Sequence, residues 1–216
     1  METGCKEAHE LEFQKLWLQF DKDFLSGKLL EYWKKYRFFD EVQTFIRPLQ
    51  GKKVLDIGCG VISVLNLIKE PGAELHGIDP LMDEYKQLYK LDDGIDWSAA
   101  PGEKVPFPGG YFDIVFCTNV LDHTENPDAV LDEVRRVLKD GGVFVLTTDI
   151  FKVPEKRNPA HPHAFTDESV DILLDRHGMN TLFNRNSQVR AQVFRFMKND
   201  LIQDDVREKV VVARKA

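Results

Sequence analysis

Apolar positions along this chain follow two alternating rhythms. Short runs at Val54 to Ile57, Glu74 to Asp79, Asp96 to Ala99, Phe112 to Cys117 and Val143 to Leu146 have the length and residue types of strands. Between them, Ser63 to Lys69 and Asp83 to Lys90 have helical character. Strand and helix in turn is the period of βαβ units, and it predicts an α/β fold around a parallel sheet. Phe112 to Cys117 and Val143 to Leu146 are nearly continuous in apolar character, as strands become when helices cover both faces.

The segment joining those two strands predicts the best-marked helix. Asn126 is its N-cap and Pro127 its first residue, with Gly141 and Gly142 past its end. Val130, Leu131, Val134, Val137 and Leu138 fall on one face, which must lie on the sheet, while Asp132, Glu133, Arg136 and Lys139 point to water. Thr166 and Gly178 bracket a later helix. The tail, Asn180 to Ala216, alternates weakly and ends with Lys209 to Val212, read as the last strand of an antiparallel pair. Ahead of the core, Phe13, Leu16, Trp17 and Phe20 recur at helical steps, and a second helix carries Leu29, Leu30, Trp33, Tyr36, Arg37 and Phe38 before stopping at Pro48. The expected division is a helical cover over residues 1–48 and a core over 49–216, together one structural domain.

Composition narrows the function more than the fold. With 216 residues, 43% of them apolar and 30% charged, the chain can bury one sizeable core. A net charge of −7 argues against a general grip on nucleic acid or on an anionic membrane, and favours a small-molecule or protein substrate. Met1 to Glu10 lacks a basic stretch followed by an apolar run, and no segment has the length of a membrane span, so a cytoplasmic protein is expected. Cys5, Cys59 and Cys117 have no paired spacing and read as free thiols. Oligomeric state is not legible.

The chemistry concentrates at Val54-Leu55-Asp56-Ile57-Gly58-Cys59-Gly60, a strand with an acid near its end and two glycines just before a helix. That is the arrangement of a nucleotide site. Asp56 narrows it, because a carboxylate there would repel the pyrophosphate of a dinucleotide but would complement a cofactor carrying an ammonium and a sulfonium. An oxidoreductase is correspondingly disfavoured. Asp79, at the end of the next strand, is placed to accept hydrogen bonds from a ribose diol.

Val54 to Gly60, His76-Gly77-Ile78-Asp79-Pro80, Val105 to Asp113 and Leu138-Lys139-Asp140-Gly141-Gly142 resemble, in order, the motifs of class I S-adenosylmethionine-dependent methyltransferases. The chain is most similar to their small type 11 family, over roughly residues 50 to 150. The resemblance implies a Rossmann-like three-layer sandwich with a seven-stranded, mostly parallel sheet of order 3-2-1-4-5-7-6 and an antiparallel last strand. It further implies S-adenosylmethionine as cofactor, S-adenosylhomocysteine as product, and methyl transfer to an O, N or C nucleophile of a small molecule. Asp56, Gly58, Cys59 and Gly60 would surround the methionine part, Asp79 and Pro80 the ribose, Pro101, Gly102 and Glu103 the adenine, and Asn119 and Val120 the reacting methyl. Two positions depart from the family pattern: Val61-Ile62-Ser63 stands where a third glycine is usual, and Pro101 where an acid often meets the adenine amino group. These departures leave a second reading, a degenerate domain that serves as a binding or partner protein.

His123 is the candidate general base, since a neutral imidazole is available near neutral pH. Tyr36, Arg37, His161 and His163 are candidates for contact with the acceptor. His161 and His163 flank Pro162 with no third ligand at a metal spacing, so they read as exposed loop histidines and no metal is expected.

Overall fold

The computed structural model describes residues 8, 10–12, 15, 39–152, 161–187 and 207–216. The described core begins with α1 (Phe39–Ile46), β1 (Lys53–Ile57), α2 (Leu65–Ile68), β2 (Glu74–Asp79), α3 (Met82–Leu88), β3 (Asp96–Ala99) and β4 (Phe112–Thr118). A 3-10 turn (Leu121–His123), α4 (Pro127–Val137), β5 (Leu138–Ile150), α5 (Asp167–Arg176), β6 (Met179–Ser187) and β7 (Arg207–Lys215) complete it. The strands form one seven-stranded sheet of order β3-β2-β1-β4-β5-β7-β6, as expected. β1 to β5 run parallel, and β7 lies antiparallel between β5 and β6.

The side-chain alternation of the strands builds two cores. Leu55, Ile57, Val115, Cys117, Phe144 and Leu146 face α4 and α5, where Val130, Leu131, Val134, Val170 and Leu174 are fully buried. Val54, Ile114, Phe116 and Val145 face the other way, onto Val42 and Ile46 of α1, Leu65 and Ile68 of α2, and Met82 and Tyr85 of α3. Helices on both faces make the predicted three layers. The chain crosses the sheet so that every parallel strand ends at the same edge, and that edge carries the site.

Capping sets the helix limits. The Asn126 side chain accepts from the Asp128 and Ala129 amides at 3.1 and 3.3 Å, with Pro127 in the first turn. Thr166 and Ser169 form a reciprocal capping box at the start of α5. Three elements differ from expectation. α4 stops at Val137, because Leu138 turns extended and pairs with Phe112, so β5 begins several residues before the expected Val143. α2 is shorter at its start because Ser63 is turned inward, donating to Asp56 and accepting from the Leu65 amide. α3 ends at Leu88, because Tyr89 is extended.

Ala8, Glu10 to Glu12 and Lys15 are helical. The rest of the aromatic preface, with Tyr36 and Arg37, lies outside the described residues, as does Cys5. Cys59 and Cys117 are buried free thiols, and burial pushes both well up from the ordinary range. No helix among the described residues is long and apolar enough to cross a membrane.

Candidate functional site

Asp56 and Asp79 approach the C-terminal ends of adjacent parallel strands, and their chains turn sharply just beyond. Gly58 (φ 65°) and Gly60 (φ 56°) both adopt left-handed angles, and a Cβ on Gly58 would lie 2.4 Å from a Val120 methyl. A side chain at position 58 is therefore excluded twice, by angle and by space. The turn is tied across the strands: the Cys59 amide donates to the Ile78 carbonyl at 3.0 Å, and the Gly60 amide to Asp79 Oδ2 at 3.0 Å. Asp79 Oδ1 accepts from the Leu81 amide at 2.9 Å.

Both acids sit in a poor environment for charge. Asp56 is 0% exposed, Ser63 Oγ donates to its Oδ2 at 2.6 Å, and its Oδ1 has no hydrogen-bond partner among the described residues. Burial lifts its carboxyl to about 7, against the lowering pull of Ser63 and the Val64 amide, with the Asp79 charge adding to the rise. Asp79 is 8% exposed and is pushed up to about 6, first by burial and then by Glu10 and Glu84. Among the described residues no lysine or arginine pairs with either acid. A buried carboxylate oxygen without a donor, beside a turn that admits only glycine, suits a ligand that brings its own positive charge and hydrogen-bond donors. Asp79 retains lone pairs beyond those used by the two amides.

The other predicted cofactor positions border this turn. Pro80 follows Asp79 and is exposed. Pro101 is exposed and Gly102 buried, next to Ala100, whose amide donates to the Asp79 carbonyl at 3.2 Å. Glu103 Oε1 accepts from the Glu125 and Asn126 amides at 2.9 and 3.4 Å, so it braces the start of α4. Asn119, at φ 61°, holds a left-handed angle right after β4, with its amide bound to the Thr147 carbonyl at 2.8 Å. Strain of this kind at a strand end is a mark of functional sites.

Beyond β4 the structure corrects the reading of the histidines. His161 and His163 do not act as a pair of exposed loop residues. His163 Nε2 stands 3.0 Å from the Thr124 carbonyl oxygen, whereas His161 Nδ1 stands 2.8 Å from Asp122 Oδ2 and its ring lies 4.1 Å from that of His123. Asp122, absent from the sequence-based candidates, is 0% exposed. Asp122, His123 and His161 thus form one cluster, and Glu10 Oε2 lies 4.0 Å from His123 Nδ1. The third group missing from the spacing around His161 and His163 is supplied by the fold, from 39 residues away. Its one sequence signal is its position beside His123.

The chain is similar to known methyltransferases in sequence and in fold. Residues 55–146 match the model of a methyltransferase domain. A ubiquinone biosynthesis O-methyltransferase of Psychrobacter arcticus is 34% identical over 50% of this chain and 45% of its own length. A tRNA U34 carboxymethyltransferase of Campylobacter lari is 27% identical over 64% of this chain and 52% of its own. The chain thus spans about half the length of the relatives it matches. In fold, it superposes on a geranyl diphosphate methyltransferase solved with S-adenosylmethionine, at a TM-score of 0.66 and 14% identity, covering 82% of this chain and 84% of that one. The matched segment, running from β1 into β5 around the acid-and-glycine turn, is thus similar to a methyltransferase domain, and the sheet order is the one expected of a class I S-adenosylmethionine-dependent methyltransferase.

Proposed function

We propose that the chain transfers a methyl group from S-adenosylmethionine to an O, N or C nucleophile of a small-molecule acceptor. The observation that carries this reading is the pair of buried acids, Asp56 and Asp79, raised to about 7 and 6 with no basic side chain beside them among the described residues. In this reading Asp56 faces the cofactor's ammonium end and Asp79 its ribose. Gly58, Cys59 and Gly60 let the main chain approach, while Pro80, Pro101, Gly102 and Glu103 border the adenosine. Asn119 and Val120 lie beside the reacting centre. When bound, S-adenosylmethionine supplies a methyl group already activated on a sulfonium, so the protein's own task is alignment and exclusion of water. A small acceptor is favoured over RNA by the net charge of −7, although one relative is named for tRNA.

Calorimetric titration of the purified, cofactor-free chain with S-adenosylmethionine and S-adenosylhomocysteine tests the reading. Saturable binding that falls about 100-fold in Asp79→Ala is expected, the loss of two charge-assisted hydrogen bonds. A folded protein that binds neither compound would leave the degenerate-domain reading, which the altered glycine loop at Val61-Ile62-Ser63 and the proline at 101 favour.

Deprotonation of the acceptor is assigned to the histidine cluster, with His123 as the base. In the presence of an acceptor found by screening, His123→Ala should lower turnover by about 100-fold with cofactor affinity intact. A loss of only a few-fold would exclude His123 from that role.

A further inference from the structure

We propose that Asp122, His123 and His161 form a site for one divalent transition-metal ion of the zinc class, beyond the end of β4. Their donor atoms all lie within 4.8 Å of one another. Within the cluster, His161 Nδ1 is 2.8 Å from Asp122 Oδ2 and His123 Nε2 is 3.8 Å from Asp122 Oδ1. A tetrahedral ion with bonds of about 2.0–2.1 Å holds its donors about 3.3 Å apart, inside the range these atoms span. Two imidazoles and one fully buried carboxylate, brought together from the turn after β4 and from the chain beyond β5, thus stand at the spacing of a three-ligand set.

The donor types select the ion. Two imidazoles and one carboxylate suit zinc, cobalt or iron(II), whereas magnesium and calcium prefer oxygen alone. The frame is prepared without an ion. Asp122 is fully buried on the 3-10 turn, and the segment bearing His161 is fastened to that turn by His163 Nε2 at Thr124 and to the end of β5 by the Phe151 amide at the Phe165 carbonyl, 2.8 Å. Glu10 stands on the Nδ1 side of His123, the place from which a carboxylate orients an imidazole that binds metal through its other nitrogen. Three protein ligands leave a coordination position open; in the metal-loaded chain His123 Nε2 is a ligand and not the base, and a hydroxyl-bearing acceptor bound to the ion would lose its proton near neutral pH instead. That last role rests on the methyltransferase reading; binding of the ion does not.

The test is titration of the full, chelator-treated chain with zinc by calorimetry and with cobalt(II) by visible absorption, beside a titration with S-adenosylhomocysteine as a check on the folded core. One ion per chain is expected, with a cobalt band typical of mixed nitrogen and oxygen ligation. Affinity should fall by about 100-fold in His161→Gln and in Asp122→Asn, and stay within about twofold in Glu74→Gln, at the opposite edge of the sheet. His161 is part-exposed, so its variant serves even where Asp122→Asn fails to fold. A chain that still binds S-adenosylhomocysteine but takes up no stoichiometric zinc or cobalt overturns the site. Binding that survives His161→Gln overturns it equally.

Discussion

At the starts of β1 and β2, Lys53 meets Glu74, Glu74 also receives Tyr111 Oη at 2.9 Å and lies 2.9 Å from His76 Nε2, and Lys139 clasps Asp113 nearby. At the far ends of the same two strands, Asp56 and Asp79 have no such partners. The consequences are opposite in sign. Lys53 first, then His76 and Tyr111, hold Glu74 at about 2, while burial lifts Asp56 to about 7 and Asp79 to about 6. One edge of the sheet pairs its charges internally. The other keeps two acids at a cost to stability, and such a cost persists where a ligand is to make it good.

The largest expected break of this contrast comes from Asp56→Asn. Removing the charge should weaken S-adenosylhomocysteine by about tenfold to 100-fold, since a charged partner of the ammonium is lost. The same substitution should stabilise the free protein at pH 8 by about 1–3 kcal/mol, because the wild type must ionise a carboxyl that burial disfavours. The sign follows from linkage. A carboxyl raised from 3.8 to about 7 binds its proton more tightly in the folded chain, so its cost is absent below pH 4 and complete above pH 7. Glu74, lowered from 4.5, contributes stability above that pH and loses it as the pH falls towards 2. Thermal melts from pH 4 to 8 should therefore show the wild type losing ground to Asp56→Asn as pH rises, and cofactor affinity climbing with pH through about 7 to a plateau above it, a rise that the variant lacks. Parallel melting curves for the two proteins would show that Asp56 is charged at no cost, and the contrast would fail.

Order and type of elements were legible because each strand's apolar run is bounded by its own punctuation. Thr166 and Asn126 announced their helices by the chemistry of a cap, which is local. Asp56 and Asp79 were legible for a similar reason: strand-end acids before glycine turns carry meaning without a partner. The strand order rested on resemblance. Asp122 was not legible, since its meaning depends on His161, and only the return of the chain after β5 brings the two within 2.8 Å. The start of β5 at Leu138 was hidden likewise. Leucine continues the apolar stripe of α4, and its pairing with Phe112 is a tertiary fact.

The smallest effect is expected at the paired edge, from Glu74→Gln. Glutamine keeps an acceptor for Lys53 and Tyr111 and loses only the charge, and Glu74 has a half-exposed side chain, where ion pairs are screened. A fall in melting temperature of at most about 3 °C at pH 7 should result. Titration with S-adenosylhomocysteine should be unchanged, since β2 separates the substitution from Asp79 by its whole length. The flattening should show at acid pH, where the variant no longer loses the contribution that wild-type Glu74 gives up on protonation. If cofactor affinity fell instead by tenfold or more, charge at the two ends of β1 and β2 would be coupled through the sheet, and the internally paired edge would have to be counted part of the site.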